Sequence, residues 1–191
     1  MREFITSHFE HVLCVLIFVS RAGDIVSTFL VTPKLTLEAN PIAKKLGWPF
    51  GVLTILACLI PYYSTPMGIV VLVPSLLVSA SNTAKIWFVR SVGETEYLNL
   101  LYRLARTTKL THALAGVLMS ALFIAIAGAV LLFLSPDPHL HWGYWYGMGI
   151  LCYAFVIGLY GSIYFWRLFR TARRGDFPHT KEASPDDLVL K

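Results

Sequence analysis

The sequence predicts an all-α fold, a polytopic transmembrane helical bundle of about five spans. One interfacial amphipathic helix is expected between spans three and four. Three observations carry this. Only 14% of the residues are charged and 56% are hydrophobic, where a soluble domain carries ~25% charge. Several apolar runs approach the ~20 residues that cross a bilayer, and they are continuous, whereas a transmembrane barrel needs short alternating segments. Lys and Arg also gather on alternate connections between the runs. A single membrane domain over 1–175 and a polar cytoplasmic tail over 176–191 account for the chain.

The first span is expected from Phe9 to Thr32. Val12 to Val19 has the length of a signal-peptide core. Arg21 suits a cleavage site poorly, however, and the apolar run resumes at Ile25, so this is read as an uncleaved helix. Pro33 ends it by removing a donor and restraining Thr32. In the loop from Lys34 to Trp48, Asn40 reads as an N-cap with Pro41 at the first helical position. Ile42 to Leu46 then forms a short interfacial turn.

The second span, Pro49 to Tyr63, is short, and Ser64 to Met67 turns the chain. The third, Gly68 to Val89, contains Pro74, which frees a carbonyl one turn earlier. From Ser91 to Leu110 the pattern is amphipathic: Leu98, Leu101 and Ala105 share one face, and Arg103, Arg106 and Lys109 take the other. Ser91 and Glu94 have capping-box spacing. The fourth span, Thr111 to Leu134, repeats Ala121, Ala125 and Ala129 beside Gly128. Small residues at that spacing let helices approach closely. The fifth, Gly143 to Phe165, opens on the aromatic run Trp142 to Gly147, as interfacial belts do. A basic tail from Arg167 follows, with disorder expected after Gly175.

Charge sets the expected orientation. Lys34, Lys44 and Lys45 lie in the first loop, Arg90, Arg103, Arg106 and Lys109 in the third connection, and Arg167, Arg170, Arg173, Arg174 and Lys181 in the tail. The second and fourth connections have none. The positive-inside rule therefore places the N-terminus outside and the C-terminus in the cytoplasm of a cell inner membrane.

That orientation gathers the unusual polar residues in one leaflet. Asp24, Ser27 and Thr28 share a helix face, and Arg21 is one turn from Asp24. Asn82 and Lys85 lie in the cytoplasmic half of the third span, His112 at the mouth of the fourth, and Glu38 and Asn40 in the adjoining loop. Ionisable residues inside a membrane face the bundle and are candidate binding groups. The candidate binding set is therefore Arg21, Asp24, Ser27, Thr28, Glu38, Asn40, Asn82, Lys85 and His112. A packing reading competes with it. Arg21–Asp24 is then an internal ion pair, Ser27 and Thr28 bond to their own backbone, Asn82 bridges helices and Lys85 snorkels.

Catalytic, cofactor and metal signatures are absent: there is no paired-His helix motif, no G-x-S-x-G and no phosphate loop. No catalytic residue, cofactor or metal ligand is assigned. His139 and His141 beside Asp137 read as loop surface groups. Cys14, Cys58 and Cys152 lie in apolar runs without metal spacing and read as buried free thiols. The net charge of +5 is scattered over membrane connections, which argues against nucleic acid as a partner. The expected partners are the bilayer, anionic headgroups at its cytoplasmic face, and a protein or second copy packed on spans four and five.

The run D-I-V-S-T (Asp24 to Thr28) followed by L-E-A-N-P (Leu37 to Pro41) resembles a family of small uncharacterised prokaryotic multi-pass membrane proteins with the pattern D-x-x-[ST]-T … E-x-N-P. The resemblance covers about the first half of the chain. It implies a multi-pass fold and marks Asp24, Thr28, Glu38, Asn40 and Pro41, but it names no reaction. A Lys common in the second helix of that family is missing here, with Lys85 in the third span as its nearest substitute. The expected function is a non-enzymatic accessory subunit or scaffold of a membrane complex. The alternatives are a small transporter or lipid-binding protein using the polar cluster, and an intramembrane enzyme acting on a lipid.

Overall fold

The computed structural model describes residues 8–38, 40–137 and 142–174. Helix α1 (Phe9–Val31) is followed by α2 (Pro41–Leu46), α3 (Trp48–Leu53), a 3₁₀ helix (Thr54–Leu59), α4 (Ile60–Tyr63), α5 (Thr65–Val92), α6 (Glu94–Thr107), α7 (Leu110–Leu134) and α8 (Trp142–Arg174). Among the described residues α1, α5, α7 and α8 are long and apolar enough to cross a membrane. The all-α helical bundle expected from the sequence is therefore what the chain forms.

The expected second span falls short of those four. Trp48–Tyr63 is an apolar helical stretch below full spanning length, yet it lies antiparallel along most of α1. Trp48 packs edge-on to Phe29 with centroids 5.5 Å apart, Gly51 faces Ile25, and Tyr62 hydrogen-bonds His11 at 2.7 Å. The six-residue 3₁₀ segment explains the reach. It rises ~2.0 Å per residue against ~1.5 Å for α, so the stretch covers about 27 Å.

Helices α1, α5 and α8 run parallel. Leu13 and Ile17 meet Ile69, Leu72 and Val73 in the principal core. Further along, Ser79 donates to the carbonyl of Ser20 at 3.0 Å. Phe9 stacks obliquely on Trp142, and Tyr153 donates to the carbonyl of Leu77 at 3.2 Å. Pro74 lies within α5 and leaves the carbonyl of Val70 without its usual amide donor. That oxygen faces Gly149 of α8, where an added methyl group would lie 3.4 Å from it and 2.8 Å from Val73 Cβ. The glycine thus admits α8 at the point where α5 is interrupted.

The small-residue stripes of α7 and α8 face each other within the chain. A methyl on Gly128 would lie 2.9 Å from the Gly147 carbonyl oxygen, and one on Gly147 would lie 2.8 Å from that of Gly128. Ala121 meets Gly158, and Val117 meets Gly161. Ala121 and Gly128 of the α7 stripe therefore pack on α8 of the same chain, while Ala129 is exposed. The remaining outer surface is apolar: Val19, Phe123, Phe133 and Phe155 are exposed, as suits a hydrocarbon surrounding.

Three local expectations change. Glu94 does not close a capping box with Ser91. Gly93, at φ 91°, holds the N-cap position of α6, where a left-handed backbone favours glycine. The Ser91 hydroxyl instead donates to the Phe88 carbonyl at 2.8 Å. Helix α8 does not stop at Phe165 but continues to Arg174, because Leu168, Phe169 and Ala172 find an apolar partner. That partner is the inner face of α6, with Leu98, Leu101 and Ala105, so this face packs on protein. Finally, Cys152 is exposed, while Cys14 and Cys58 interact across α1 and the 3₁₀ segment.

Candidate functional site

At the basic end of the bundle, polar side chains cross from α1 to α5. Asp24 and Thr28 share a face of α1. The Asn82 amide nitrogen donates to Asp24 Oδ1 at 3.3 Å and to Thr28 Oγ1 at 3.1 Å. One amide thus ties two helices, which is the packing role open to Asn in a membrane. Arg21 Nη1 lies 3.8 Å from Asp24 Oδ2, a loose pair within α1. The Nε of Arg21 is buried and has no hydrogen-bond acceptor. Ser27 is buried and donates to the Asp24 backbone carbonyl at 3.0 Å, so its hydroxyl is spent within its own helix.

The loop after α1 folds back over this cluster. Asn40 caps α2, its Oδ1 accepting from Ile42 N at 2.9 Å and from Ala43 N at 3.5 Å, with Pro41 in the first turn. This is the cap expected from the sequence. Glu38 accepts from the Asn40 amide at 2.8 Å, and its carboxylate lies near enough to Asp24 to repel it. The D-x-x-S-T and E-A-N-P runs are therefore neighbours in space. Gly47, at φ 70°, makes the turn from α2 into α3. Trp48 Nε1 donates to the Pro33 carbonyl at 3.2 Å, closing the loop on itself.

Glu94 anchors this loop instead of capping its own helix. Its Oε1 accepts from the Thr36 amide at 3.1 Å and from the hydroxyls of Thr32 and Thr36, and its Oε2 accepts from the Lys34 amide at 3.3 Å. Partial burial works against the charged form. The two hydroxyls and two amides outweigh it and hold the carboxyl below its ordinary value. Thr32 also accepts from the Leu37 amide at 3.2 Å. Within this pinned loop Leu35 takes φ 53°, a left-handed conformation unusual for a bulky residue.

Two expected members stay outside the cluster. Lys85 is exposed on α5, and His112 is exposed in the first turn of α7. Of the candidate set, Arg21, Asp24, Thr28 and Asn82 come together, Glu38 approaches them, and Asn40 and Ser27 serve local structure. The Ser27 hydroxyl is turned to the Asp24 backbone carbonyl, and among the hydroxyls of the cluster it is Thr28 that sits beside the Asp24 carboxylate. Among the described residues no three His, Cys, Asp or Glu side chains are grouped as metal ligands. His139 and His141 lie outside the described residues. A cleft of about 320 Å³ lies elsewhere, between α7 and the end of α8, and none of its lining residues belongs to the cluster.

No family model matches the chain, and neither a curated protein nor a solved structure shows significant similarity to it.

Proposed function

We propose that this chain is a non-enzymatic, multi-pass protein of a cell inner membrane, acting as an accessory subunit or scaffold. The observation that carries the reading is the use of the Asn82 amide. Both contacts, to Asp24 and Thr28, are made within the chain, so this intramembrane amide is spent on joining α1 to α5. Ser27 and Ser79 bond to backbone carbonyls in the same way. Such an arrangement fixes helix register and leaves the outer apolar surface to present to others. The basic end faces the cytoplasm in this reading, because Lys34, Lys44 and Lys45 and the arginines of α6 and α8 share it. Native mass spectrometry of protein gently extracted from its own membrane tests the role. Co-purifying subunits are expected, and a monomer without subunits overturns it.

A second reading rests on one specific group. The buried Arg21 Nε lacks an acceptor, and a buried unmet donor is costly. A small transporter or lipid-binding protein would meet it with an anionic group of its ligand. Retention of a defined anionic lipid or metabolite by the native protein, lost in Arg21→Gln, would favour this reading.

A further inference from the structure

Helix α8 has 33 residues and is about 50 Å long, whereas the hydrocarbon core is ~30 Å thick. Its C-terminal part must therefore project into and beyond the headgroup layer. The cleft of about 320 Å³ sits on that part, lined by Leu110, Trp166, Phe169, Arg170, Arg173 and Arg174. Its two walls differ in chemistry. Leu110, at the start of α7, and Phe169 are apolar, and Phe169 is fixed by the core between α6 and α8. Trp166 is half exposed, as an interfacial anchor would be. The three arginines are exposed, and among the described residues no carboxylate pairs with them. The Arg170 guanidinium lies 5.4 Å from the Trp166 ring centroid, which holds it against the apolar wall.

We propose that this cleft binds the headgroup phosphate of an anionic phospholipid from the same leaflet, with the acyl chains descending along Leu110 and Trp166. Guanidinium forks match phosphate oxygens in a bidentate way that ammonium groups do not. The mixed lining favours a lipid over a free phosphate ion, since an ion gains nothing from a Trp and Leu wall. Phe169, 3% exposed, and the contact from Arg106 Nε to the Ala172 carbonyl at 3.4 Å fix the helix that carries the arginines. The site is thus built by the docking of α6. The inference rests on membrane insertion with the basic end at a lipid surface, and it is independent of the scaffold role.

The test compares the full chain with Arg170→Gln/Arg173→Gln/Arg174→Gln and with Arg90→Gln/Arg103→Gln, which removes exposed charge from α5 and α6 at the same end. Each is reconstituted in phosphatidylcholine bilayers with and without phosphatidylglycerol, and lipids retained after gentle extraction are counted by native mass spectrometry. The wild type is expected to retain phosphatidylglycerol in preference to phosphatidylcholine. The triple variant should lose that preference by about a hundredfold, while the double variant keeps it. Equal loss in both variants overturns the site in favour of diffuse surface charge. Displacement of the lipid by millimolar inorganic phosphate overturns the lipid assignment in favour of a free anion. Replacing all three arginines by lysine should restore little, because fork geometry is lost while charge is kept; full restoration overturns bidentate recognition. Carbonate extraction of each variant reports membrane integration separately, so a failure of insertion is distinguished from a failure of binding.

Discussion

Thr36 gives both its backbone amide and its hydroxyl to one oxygen of Glu94, across 58 positions of sequence. This contact joins the loop after the first helix to the first turn of the amphipathic helix. It also reserves for loop anchoring a carboxylate that would otherwise only favour the N-terminus of α6.

Replacing Glu94 by Ala should therefore loosen the loop before it affects the bundle. The loss is on the order of 1–3 kcal/mol, as for hydrogen bonds to a charged group, and should appear as faster tryptic cleavage at Lys34 and Lys44. Glu94 ionises more readily when folded than when unfolded. Its stabilisation is thus present above the ordinary carboxylate range and is lost as pH falls through the lower folded value. The gap in melting temperature between wild type and Glu94→Ala should shrink on acidification. A gap that widens at low pH would contradict this assignment.

Asn82 tests the clamp between α1 and α5. Asn82→Leu keeps size and removes the amide, so it should cost roughly 0.6–1.7 kcal/mol in a membrane environment. A double-mutant cycle with Thr28→Val should show coupling, because one amide nitrogen serves both Thr28 and Asp24. Additive losses would mean that the Thr28 arm of the bridge contributes nothing.

The sequence made some of this legible and concealed the rest for physical reasons. Asp24, Ser27 and Thr28 share a face through helical periodicity alone, and the Asn40–Pro41 cap is a local signal. The union of Asp24 with Asn82 required knowing that α1 and α5 run parallel, which the alternating charge pattern supplied. Glu94 was hidden because its own neighbours offered a plausible local partner in Ser91, and nothing local reveals a long-range one. The arginines after Phe165 resemble a polar tail in sequence and hide the continuation of α8. Leu168, Phe169 and Ala172 continue the helix only because α6 folds over them. The repeat of Ala121, Ala125 and Ala129 beside Gly128 is visible as spacing, but spacing does not say whether the facing helix belongs to the same chain.

That last distinction is measurable. Gly128→Leu places a side chain where even a methyl group meets the Gly147 carbonyl at 2.9 Å. Overpacking of this kind costs ~1–3 kcal/mol, so thermal stability in detergent should fall. Because Gly128 is buried between α7 and α8 of one chain, any oligomer should keep its stoichiometry. Dissociation into stable monomers with unchanged melting would place the stripe between chains instead.

The stretch Trp48–Tyr63 decides the number of crossings. By composition it is shorter than the four long helices, yet it follows α1 from the level of Phe29 to that of His11. If those levels lie on opposite faces of the membrane, so must its two ends. In a background with Cys14, Cys58 and Cys152 changed to Ser, single cysteines replacing Lys45 and Tyr63 report the two ends. Tyr63 is 97% exposed, so its replacement should be open to an impermeant maleimide added outside intact cells. The Lys45 replacement should react only after the membrane is opened. Labelling of both from one side would make the stretch a re-entrant hairpin. The crossings would then be even in number, and the basic loop and the basic tail, which share one end of the bundle, could not both obey the positive-inside rule.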